Sequence, residues 1–600
     1  MSLKSTVIDL VQERAGLSPD RRAYTFLAGS GDESNVLRCH ELETRARAIG
    51  ALLQETCGNK RSSTSEFPAR VLLLYPPGLE FIEAFYGCLF SGCIAVPASP
   101  PDPIQLARTL PRFLSILEDS GAAVILTTSQ HRAAMNRLLT KDGGENVKHA
   151  EKTALEQQVR FFREALEQRG IQWITTDNLT QGLVHRWRHP GSERRALAFL
   201  QYTSGSTAMP KGVMISHGNI LHNLEIIHSA ARQNQDSCFV NWLPNYHDMG
   251  LIGSILYPMH VGFQSVQMSP LSFLKRPLRW LNAITKYRGT ITAAPNFAYE
   301  LCVTRIPPEK REGLDLRTIN LALSGSEPVR ANAIKRFTEA FAPYGLRLEA
   351  ILPSYGLAEA TCAVSGSRQL TPLVVKSFRK SSIEQNEVVE HRGESDTIEL
   401  VSCGPPLPSL SLIIVNPETL LPCPPHEVGE IWVAGDSVGA GYWNNPKETG
   451  NVFGARTKNN DDGHRYLRTG DLGFILDGNL FIASRLKDLI VINGANHYPQ
   501  DIELSVEKSH PKLRQAGSAA FTVDDETGSQ LIIVAEVERN ASGLSDEIRQ
   551  AIRTCLSLEH SLSVERIYLV KAGSMNKTSS GKIQRIACKQ AMLHKALKRI

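Results

Sequence analysis

The sequence predicts an α/β protein with at least two domains. A strand, a helix and a second strand follow one another at residues 70–75, 79–92 and 93–98, which is the order of a βαβ unit. Apolar runs at residues 122–128 and 319–325 predict further buried strands. The chain has 600 residues, which is more than one hydrophobic core usually supports.

The borders of the βαβ unit are marked by residues that end strands and helices. Pro76, Pro77 and Gly78 follow the first strand, and a proline-rich stretch follows the second. The most apolar segment, residues 85–96, is too short to cross a bilayer. We therefore expect it to be a buried junction between helix and strand.

The later segments differ in composition and in their pattern of apolar residues. Residues 140–170 are polar with a helical period, which predicts an exposed helix, and residues 366–402 mix charges without strong apolar runs, which predicts an insertion or a small β-excursion. Residues 516–538 predict a hairpin that is followed by a helix at 544–559. We place a domain boundary near Lys487, giving domains of residues 1–486 and 487–600.

Composition excludes several classes of protein. The net charge is only +5 and is spread along the chain, so it gives no nucleic-acid footprint. Eleven scattered cysteines, an odd number, predict neither a disulfide framework nor a structural zinc site. The N-terminus lacks the apolar core of a signal peptide, so we expect a cytoplasmic protein with no transmembrane segment.

The loop YTSGSTAMPKGV, residues 202–213, offers converging hydroxyls, small residues and one cation. These are the ingredients of a phosphate cradle. It is not a Walker A loop, because Lys211 precedes Gly212, and it is not the GxSxG turn of a serine hydrolase. Taken alone, such a stretch is also a good flexible turn.

Seven further motifs follow this loop. They are NWLPNYHDMGLIG (241–253), LSGSEPV (323–329), PSYGLAEAT (353–361), GEIWVAGDSVGAGYWN (429–444), YLRTGDLGF (466–474), SRLKDLIVINGANHYPQDIE (484–503) and NKTSSGKIQR (576–585). Together and in this order they resemble the adenylate-forming superfamily of acyl-CoA synthetases, peptide-synthetase adenylation domains and luciferases. The resemblance covers nearly the whole chain, and by it the motif at 429–444 would be a structural hairpin. It implies a large N-terminal domain of β-sheets flanked by helices, with a small β-barrel, and a smaller mobile α+β C-terminal domain.

The reaction that this resemblance implies joins ATP and a carboxylic acid into an acyl-adenylate and releases pyrophosphate. Two anions must approach each other, so the site needs positive charge and a metal, and the implied cofactors are ATP and Mg²⁺.

The resemblance also implies a role for each matching residue. The phosphates would be held by Thr203, Ser204, Gly205, Ser206, Thr207 and Lys211, although Ala208 stands where the family usually has glycine. The adenine pocket would comprise Ser324, Gly325, Ser326, Glu327, Ser354, Tyr355, Gly356 and Leu357, with Tyr355 stacked on the base. Asp471 and Arg485 would hold the ribose, Glu359 would bind Mg²⁺, His247 would lie near the acid, Lys582 would bridge carboxylate and α-phosphate, and Lys487 would be the hinge. Considered singly, each side chain also has an ordinary structural interpretation, as a core aromatic, a turn or a surface charge.

The segment at 366–401 follows the YGxTE-like motif, and VSCGPP follows it in turn. This arrangement resembles the fatty acyl-AMP ligases, which pass a fatty acyl group to the phosphopantetheine thiol of an acyl carrier protein. In that group the insertion is thought to restrain the small domain and coenzyme A is a poor acceptor. Because no carrier domain follows Lys582 in this sequence, we expect a stand-alone carrier protein as partner.

Two alternatives stay open from the sequence. One is a long- or medium-chain fatty acyl-CoA synthetase, which differs in the acceptor of the acyl group. The other is a catalytically inactive acyl- or nucleotide-binding module, which would bind ATP without releasing pyrophosphate.

Overall fold

The computed structural model describes residues 5–597 apart from 30, 59–66, 103–105, 141–156, 158, 165, 168–169, 204–209, 394, 460–462, 493–494, 526–527, 540, 542, 561, 565, 578–582 and 595. Ser204, Gly205, Ser206, Thr207 and Lys582, all predicted site residues, lie outside the described residues.

The described strands are, in chain order, β1 (Arg22–Leu27), β2 (Glu33–Arg38), β3 (Arg70–Leu73), β4 (Ile94–Pro97), β5 (Val124–Thr127), β6 (Gln172–Thr175), β7 (Leu197–Tyr202), β8 (Gly212–Ser216), β9 (Cys238–Asn241), β10 (Gln264–Met268), β11 (Ile291–Ala294), β12 (Leu321–Ser324), β13 (Ile351–Gly356), β14 (Ala363–Gly366), β15 (Val375–Arg379), β16 (Thr397–Val401), β17 (Ser411–Val415), β18 (Gly429–Ala434), β19 (Leu467–Leu476), β20 (Asn479–Arg485), β21 (Ile490–Ile492), β22 (Ala495–His497), β23 (Leu513–Asp525), β24 (Gly528–Val537) and β25 (Arg566–Lys571).

The described α-helices are α1 (Val7–Leu17), α2 (Cys39–Gly58), α3 (Glu80–Ser91), α4 (Leu106–Ser120), α5 (Ser129–Thr140), α6 (His217–Ala231), α7 (Tyr257–Val261), α8 (Pro270–Lys275), α9 (Leu278–Tyr287), α10 (Asn296–Arg305), α11 (Ala331–Phe341), α12 (Lys380–Glu384), α13 (Pro446–Val452), α14 (Pro499–Ser509), α15 (Ser545–His560) and α16 (Arg585–Leu593). A π-helix at Met249–Leu256 precedes α7.

Two large sheets form the N-terminal part. One has the order β6-β5-β3-β4-β7-β8 and is parallel except for the β7–β8 pair. The other has the order β14-β13-β12-β11-β9-β10-β1-β2 and is parallel except at its two edges. β3, α3 and β4 form the predicted βαβ unit, with β3 and β4 parallel. The α/β class predicted from the sequence is confirmed.

One hydrophobic core joins the two large sheets. Val71 of β3, Phe85 of α3 and Val240 of β9 belong to the same cluster of buried side chains. α3 is apolar on nearly all sides, which is typical of a helix enclosed by protein. The predicted buried junction at 85–96 therefore lies at the centre of this core.

A third sheet is antiparallel and has the order β17-β18-β19-β20, and the small β-barrel that the resemblance implies stays a prediction. The segment predicted as an insertion forms the two-stranded sheet β15-β16 with α12 between its strands. Phe378 of β15 packs on Phe474 and Phe481, with ring centroids 5.1 and 5.7 Å apart. The small β-excursion is thus attached to the third sheet by an aromatic cluster.

The C-terminal part has its own core. β23 and β24 form the predicted hairpin, β25 pairs parallel with β24, and α14 and α15 pack with them around a separate cluster of buried aliphatic residues. This arrangement agrees with the smaller α+β C-terminal domain that the resemblance implies. The boundary at residue 487 stays a prediction.

One local prediction was wrong. The motif at 429–444 is not a hairpin: β18 pairs with β17 and β19, and the following residues run along β8, where the Met214 N–H donates to the Gly441 carbonyl at 2.9 Å. The helix expected to be exposed within 140–170 is exposed at most of its described residues and buries Phe162, which meets Phe113 edge-on at 5.3 Å. Within the described residues, no helix combines the length and the apolar character that a membrane span requires.

Candidate functional site

Asp471 is a buried carboxylate at the centre of a hydrogen-bonded group. It lies in β19 directly opposite Arg485 of β20, so the antiparallel pairing brings the two side chains together. The Arg485 Nε–H donates to Asp471 Oδ1 at 3.0 Å, and the Tyr355 hydroxyl donates to Oδ2 at 2.7 Å. The charge of Asp471 raises the pKa of Arg485, and burial raises the pKa of Tyr355 well above its ordinary value. Each carboxylate oxygen keeps a second lone pair for another donor.

The ends of β12 and β13 bring the predicted adenine-pocket residues together. The two strands are parallel and adjacent, with Ser324 opposite Pro353, so their carboxyl ends meet at one edge of the sheet. A Cβ on Gly325 would lie 3.0 Å from the Ser354 carbonyl oxygen, so the turn after β12 packs directly on β13. Ser326 has a φ of 70°, and Glu327 accepts a hydrogen bond from the Phe297 N–H at 2.7 Å.

This edge shows an unmatched polar atom and a position that requires glycine. The Ser324 hydroxyl is buried and has no hydrogen-bond partner among the described residues. A Cβ on Gly356 would lie 1.8 Å from the Cys362 carbonyl oxygen, so no larger residue fits there. Leu357 follows in extended conformation and leads into the short 3-10 turn that carries Glu359. A buried hydroxyl without a partner fits a polar ligand at this edge.

Glu359 contacts a tyrosine that the sequence analysis did not assign to the site. The Tyr442 hydroxyl donates to Glu359 Oε1 at 2.8 Å. Burial raises the pKa of Glu359, the Tyr442 hydrogen bond opposes that rise, and the charge of Asp248 adds to it. A carboxylate of this kind can bind Mg²⁺ together with substrate phosphates, since Mg²⁺ usually takes one or two carboxylates. No cluster of three or more ligating side chains occurs among the residues that the structure describes.

Lys211 lies at the base of the predicted phosphate loop. The Thr203 N–H donates to the Lys211 carbonyl at 3.1 Å, so these two residues close the β7–β8 turn that carries the loop. The Lys211 ammonium pairs with Glu448 and lies 5.0 Å from the centroid of the Tyr442 ring. The hydrogen bond from Lys211 lowers the pKa of Glu448. Lys211 is thus held by an internal anion beside the residue that contacts Glu359.

His247 lies next to Asp248, whose charge acts on Glu359. Its Nδ1 is 2.6 Å from Asp248 Oδ1, and the π-helix begins at the next residue, Met249. The Gln201 side chain donates to the Tyr246 carbonyl at 2.9 Å, which attaches this loop to β7. His247 therefore lies on a segment that bridges the two large sheets.

Ion pairs of Arg585 join the chain near the C-terminus to the segment around Lys487. Lys487 lies in the 3-10 turn Leu486–Asp488, immediately after Arg485. Arg585, three residues after Lys582, donates to Asp488 Oδ2 at 2.6 Å and to both oxygens of Glu503, at 2.7 and 2.8 Å. The chain that follows Lys582 is therefore anchored beside the predicted hinge.

The structure brings most of the described predicted residues into one region. Tyr355, Asp471 and Arg485 are in direct contact, and the charge of Arg485 also acts on Glu359. Sequence reasoning missed Tyr442, Glu448 and Asp248. Tyr442 lies near the end of the motif that was interpreted as a structural hairpin, and Glu448 follows that motif closely. A tyrosine and a glutamate beside a glycine-rich turn are the only signal the sequence offers for them.

Known protein families and individual proteins are similar to this chain over nearly its whole length. A family model described as AMP-binding enzyme matches residues 11–443, and a model described as Disco-interacting protein 2-like, AMP domain, matches residues 487–600. The chain is 44% identical over 598 residues to the medium-chain-fatty-acid–[acyl-carrier-protein] ligase JamA of Moorena producens, covering 99% of this chain and 96% of the relative. It is 36% identical over 613 residues to the long-chain-fatty-acid–AMP ligase FadD26 of Mycobacterium tuberculosis, covering 99% and 98%.

Solved structures are similar over the same length. The crystal structure of a fatty acid AMP ligase from Legionella pneumophila superposes with a TM-score of 0.72 at 38% identity, covering 99% of this chain and 97% of that one. A fatty acyl-adenylate ligase from L. pneumophila in complex with acyl adenylate and pyrophosphate has the same TM-score and identity, covering 98% and 96%.

Proposed function

Because the chain belongs to the AMP-binding enzyme family, we propose that it is a ligase that activates a fatty acid as fatty acyl-AMP and transfers the acyl group to an acyl carrier protein. The observation that carries this proposal is similarity over almost the full length to JamA and FadD26, both named as fatty-acid ligases. The convergence of Tyr355, Asp471 and Glu359 on one region supports it.

In the first step a carboxylate oxygen of the fatty acid attacks the α-phosphorus of ATP, and pyrophosphate leaves. The second lone pairs of Asp471 would accept the ribose hydroxyls, with Arg485 holding the carboxylate in place. Tyr355 would lie against the adenine, while the Ser324 hydroxyl and the turn Gly325–Glu327, with Ser354, Gly356 and Leu357, would line that pocket.

The phosphates are assigned to the β7–β8 loop, where Thr203, Ser204, Gly205, Ser206, Thr207 and Lys211 would contact them. Binding of the triphosphate would draw Lys211 away from Glu448, because a phosphate carries more negative charge than one carboxylate. Mg²⁺, when bound at Glu359, would neutralise phosphate oxygens as they meet the attacking carboxylate.

Lys582 and His247 would act on the acid. Lys582 would bridge the carboxylate and the α-phosphate, where a mobile point charge suits the charge that develops. His247 would lie beside the carboxylate. After a rotation about Lys487, the phosphopantetheine thiol would attack the acyl carbonyl carbon, which forms the thioester and releases AMP and the thiol proton.

We assign acceptor choice to the segment at 366–401. The Tyr498 hydroxyl donates to the Ile383 carbonyl at 3.0 Å, and the Lys380 ammonium donates to the Glu559 carbonyl at 2.7 Å. Both contacts join the excursion to the C-terminal part. They support a restraint on the small domain that disfavours coenzyme A as the acceptor. The acceptor that we propose is a stand-alone carrier protein in the cytoplasm.

The test is pyrophosphate release by the purified protein with ATP, Mg²⁺ and fatty acids of different length, followed by addition of coenzyme A or a carrier protein. Lys582→Ala should lower adenylation by roughly two to three orders of magnitude, whereas the exposed Lys571→Ala should leave it unchanged. Transfer to coenzyme A as fast as to the carrier would identify an acyl-CoA synthetase. ATP binding without pyrophosphate release from any acid would identify an inactive binding module.

A further inference from the structure

Two leucines project from the short helix α8 on the outside of the large domain. Leu271 is 58% exposed and Leu274 is 40% exposed. They are three residues apart, so they lie on one face of the helix, one turn from each other. Phe273 between them is fully buried, so α8 presents its leucines outward while its phenylalanine anchors it.

Cations surround these leucines. Lys275 and Arg276 follow directly and are exposed, and the exposed Arg305 donates from its guanidinium to the Leu274 carbonyl at 3.3 Å. Neither Lys275 nor Arg276 forms an ion pair with any residue in the described part of the chain. The sequence has no aspartate or glutamate between Asp248 and Glu300, so this surface carries charge of one sign from that stretch. We call Leu271, Leu274, Lys275, Arg276 and Arg305 the leucine–basic patch.

The inner side of α8 packs on the motif that carries His247. Phe273 stacks on Trp242, with ring centroids 4.1 Å apart and planes 10° apart. Trp242 belongs to the motif that carries His247, and it also meets Phe297, whose N–H donates to Glu327. The leucine–basic patch is thus the outer face of a helix whose inner face packs on Trp242, and Trp242 in turn contacts Phe297 beside the predicted adenine-pocket residue Glu327.

We propose that the leucine–basic patch docks the protein reversibly on the surface of an anionic lipid bilayer. Projecting leucines can enter the interface between headgroups and acyl chains, and the cations beside them attract anionic headgroups. A lipid surface deforms, so two leucines that project from one helix can insert into it. The charges of Lys275 and Arg276, which form no ion pair among the described residues, would be attracted to a negatively charged surface. Only the biological reason for this docking rests on the proposed function. Fatty acids partition into bilayers, so a ligase that uses them would meet its substrate at a lipid surface.

The test is co-sedimentation of the full-length protein with vesicles of equal parts phosphatidylglycerol and phosphatidylcholine, compared with vesicles of phosphatidylcholine alone. Binding is expected only to the anionic vesicles and should weaken as salt rises. The double variant Lys275→Gln/Arg276→Gln should bind more weakly by roughly fivefold for each charge removed. The double variant Leu271→Ser/Leu274→Ser should lose the binding that survives at high salt.

Matched controls keep the proposal falsifiable. Lys335→Gln/Arg336→Gln removes an adjacent exposed pair of the same charge from α11, and Leu558→Ser removes an 80% exposed leucine from α15. Both controls should keep vesicle binding, and all variants should keep adenylation of fatty acid presented in detergent.

Three outcomes overturn the proposal. One is the absence of wild-type binding to anionic vesicles at low salt, and another is an equal loss in the controls. The third is a leucine variant that binds vesicles normally but loses transfer to the carrier protein or changes oligomeric state, which would assign the patch to a protein partner. Vesicle binding is scored without activity, so its failure is distinct from failure of the proposed ligase function.

Discussion

Asp471 binds two site residues, one at each oxygen of its carboxylate. Arg485 and Tyr355 come from different sheets, and each donates to a different oxygen of Asp471. Asp471 is only 6% exposed, and loss of its charge would leave the Arg485 guanidinium without its counterion. The residue therefore fixes the geometry of the site before any ligand enters it.

Asp471→Asn is expected to raise the KM for ATP by roughly ten- to a hundredfold, because hydrogen bonds to a charged acceptor are stronger than those to an amide. If the carboxylate accepts the ribose hydroxyls, wild-type protein should discriminate against 2′-deoxy-ATP, and the variant should lose most of that discrimination. The measurement is KM for both nucleotides in pyrophosphate release. Unchanged discrimination in the variant would remove Asp471 from the ribose site.

Tyr442→Phe is expected to move the pH dependence of Mg²⁺ activation upward. The Tyr442 hydrogen bond stabilises the Glu359 carboxylate against the effect of burial, so its loss raises the pKa of Glu359 further. The variant should need more Mg²⁺ than wild type at mildly acidic pH and approach it at alkaline pH. Tyr466→Phe, whose hydroxyl lies 3.3 Å from that of Ser411, is the matched control. A pH-independent offset would contradict the assignment of Glu359 as metal ligand.

At the scale of elements, the β15-α12-β16 excursion has two attachments with different roles. Phe378 packs it on the aromatic residues of β19 and β20, whereas Lys380 and Glu384 of α12 face the C-terminal part. Deleting residues 366–401 would remove Phe378 from that cluster and expose the rings of Phe474 and Phe481. A point change in α12 separates the contact with the small domain from the stability of the sheet.

Lys380→Ala is expected to raise transfer to coenzyme A severalfold while leaving acyl-AMP formation unchanged. The Lys380 ammonium donates to the Glu559 carbonyl and contacts His560 Nδ1 at 2.9 Å, so its loss removes a bond between the excursion and α15. The neighbouring exposed Arg379→Ala removes the same charge and serves as control. The rate of thioester formation on coenzyme A is the readout. Equal rates in Lys380→Ala and wild type would show that this contact does not restrain the acceptor step.

The elements differ in how far the sequence predicts them. β3, α3, β4, β12 and the β23–β24 hairpin follow from apolar runs bounded by glycine and proline, because burial and turn chemistry are local properties. The course of residues 435–445 along β8 was not predictable, since it depends on pairing with a strand more than two hundred residues earlier. The pairs Tyr442–Glu359 and Lys211–Glu448 were not predicted either, because each joins residues that are far apart in the sequence. Motifs indicate which residues belong to the site, but not which of them neutralise one another.

At the scale of the whole molecule, the C-terminal part is joined to the large domain by buried or partly buried charges. Arg330 immediately precedes α11 of the large domain, and its guanidinium lies 3.8 Å from Glu507 Oε2 of α14. Glu507 also accepts the Gly517 N–H at 3.1 Å through Oε1. A buried carboxylate with one long ion pair is poorly compensated when it ionises. The position of the small domain should therefore depend on pH through this residue.

Glu507→Gln is expected to flatten the pH dependence of stability between about pH 5 and pH 8. Burial raises the pKa of Glu507 to about 7, and Arg330 opposes that rise only in part. A carboxyl whose folded pKa lies above its unfolded value of about 4.3 contributes stability at low pH and loses it as pH rises towards 7. The loss is at most about 4 kcal/mol on this basis, and the amide variant, which cannot ionise, should escape it. Its melting temperature relative to wild type should therefore increase from pH 5 to pH 8, whereas the half-exposed Glu538→Gln should run parallel to wild type. If Glu507→Gln also runs parallel, Glu507 is already ionised throughout that range and Arg330 compensates it fully.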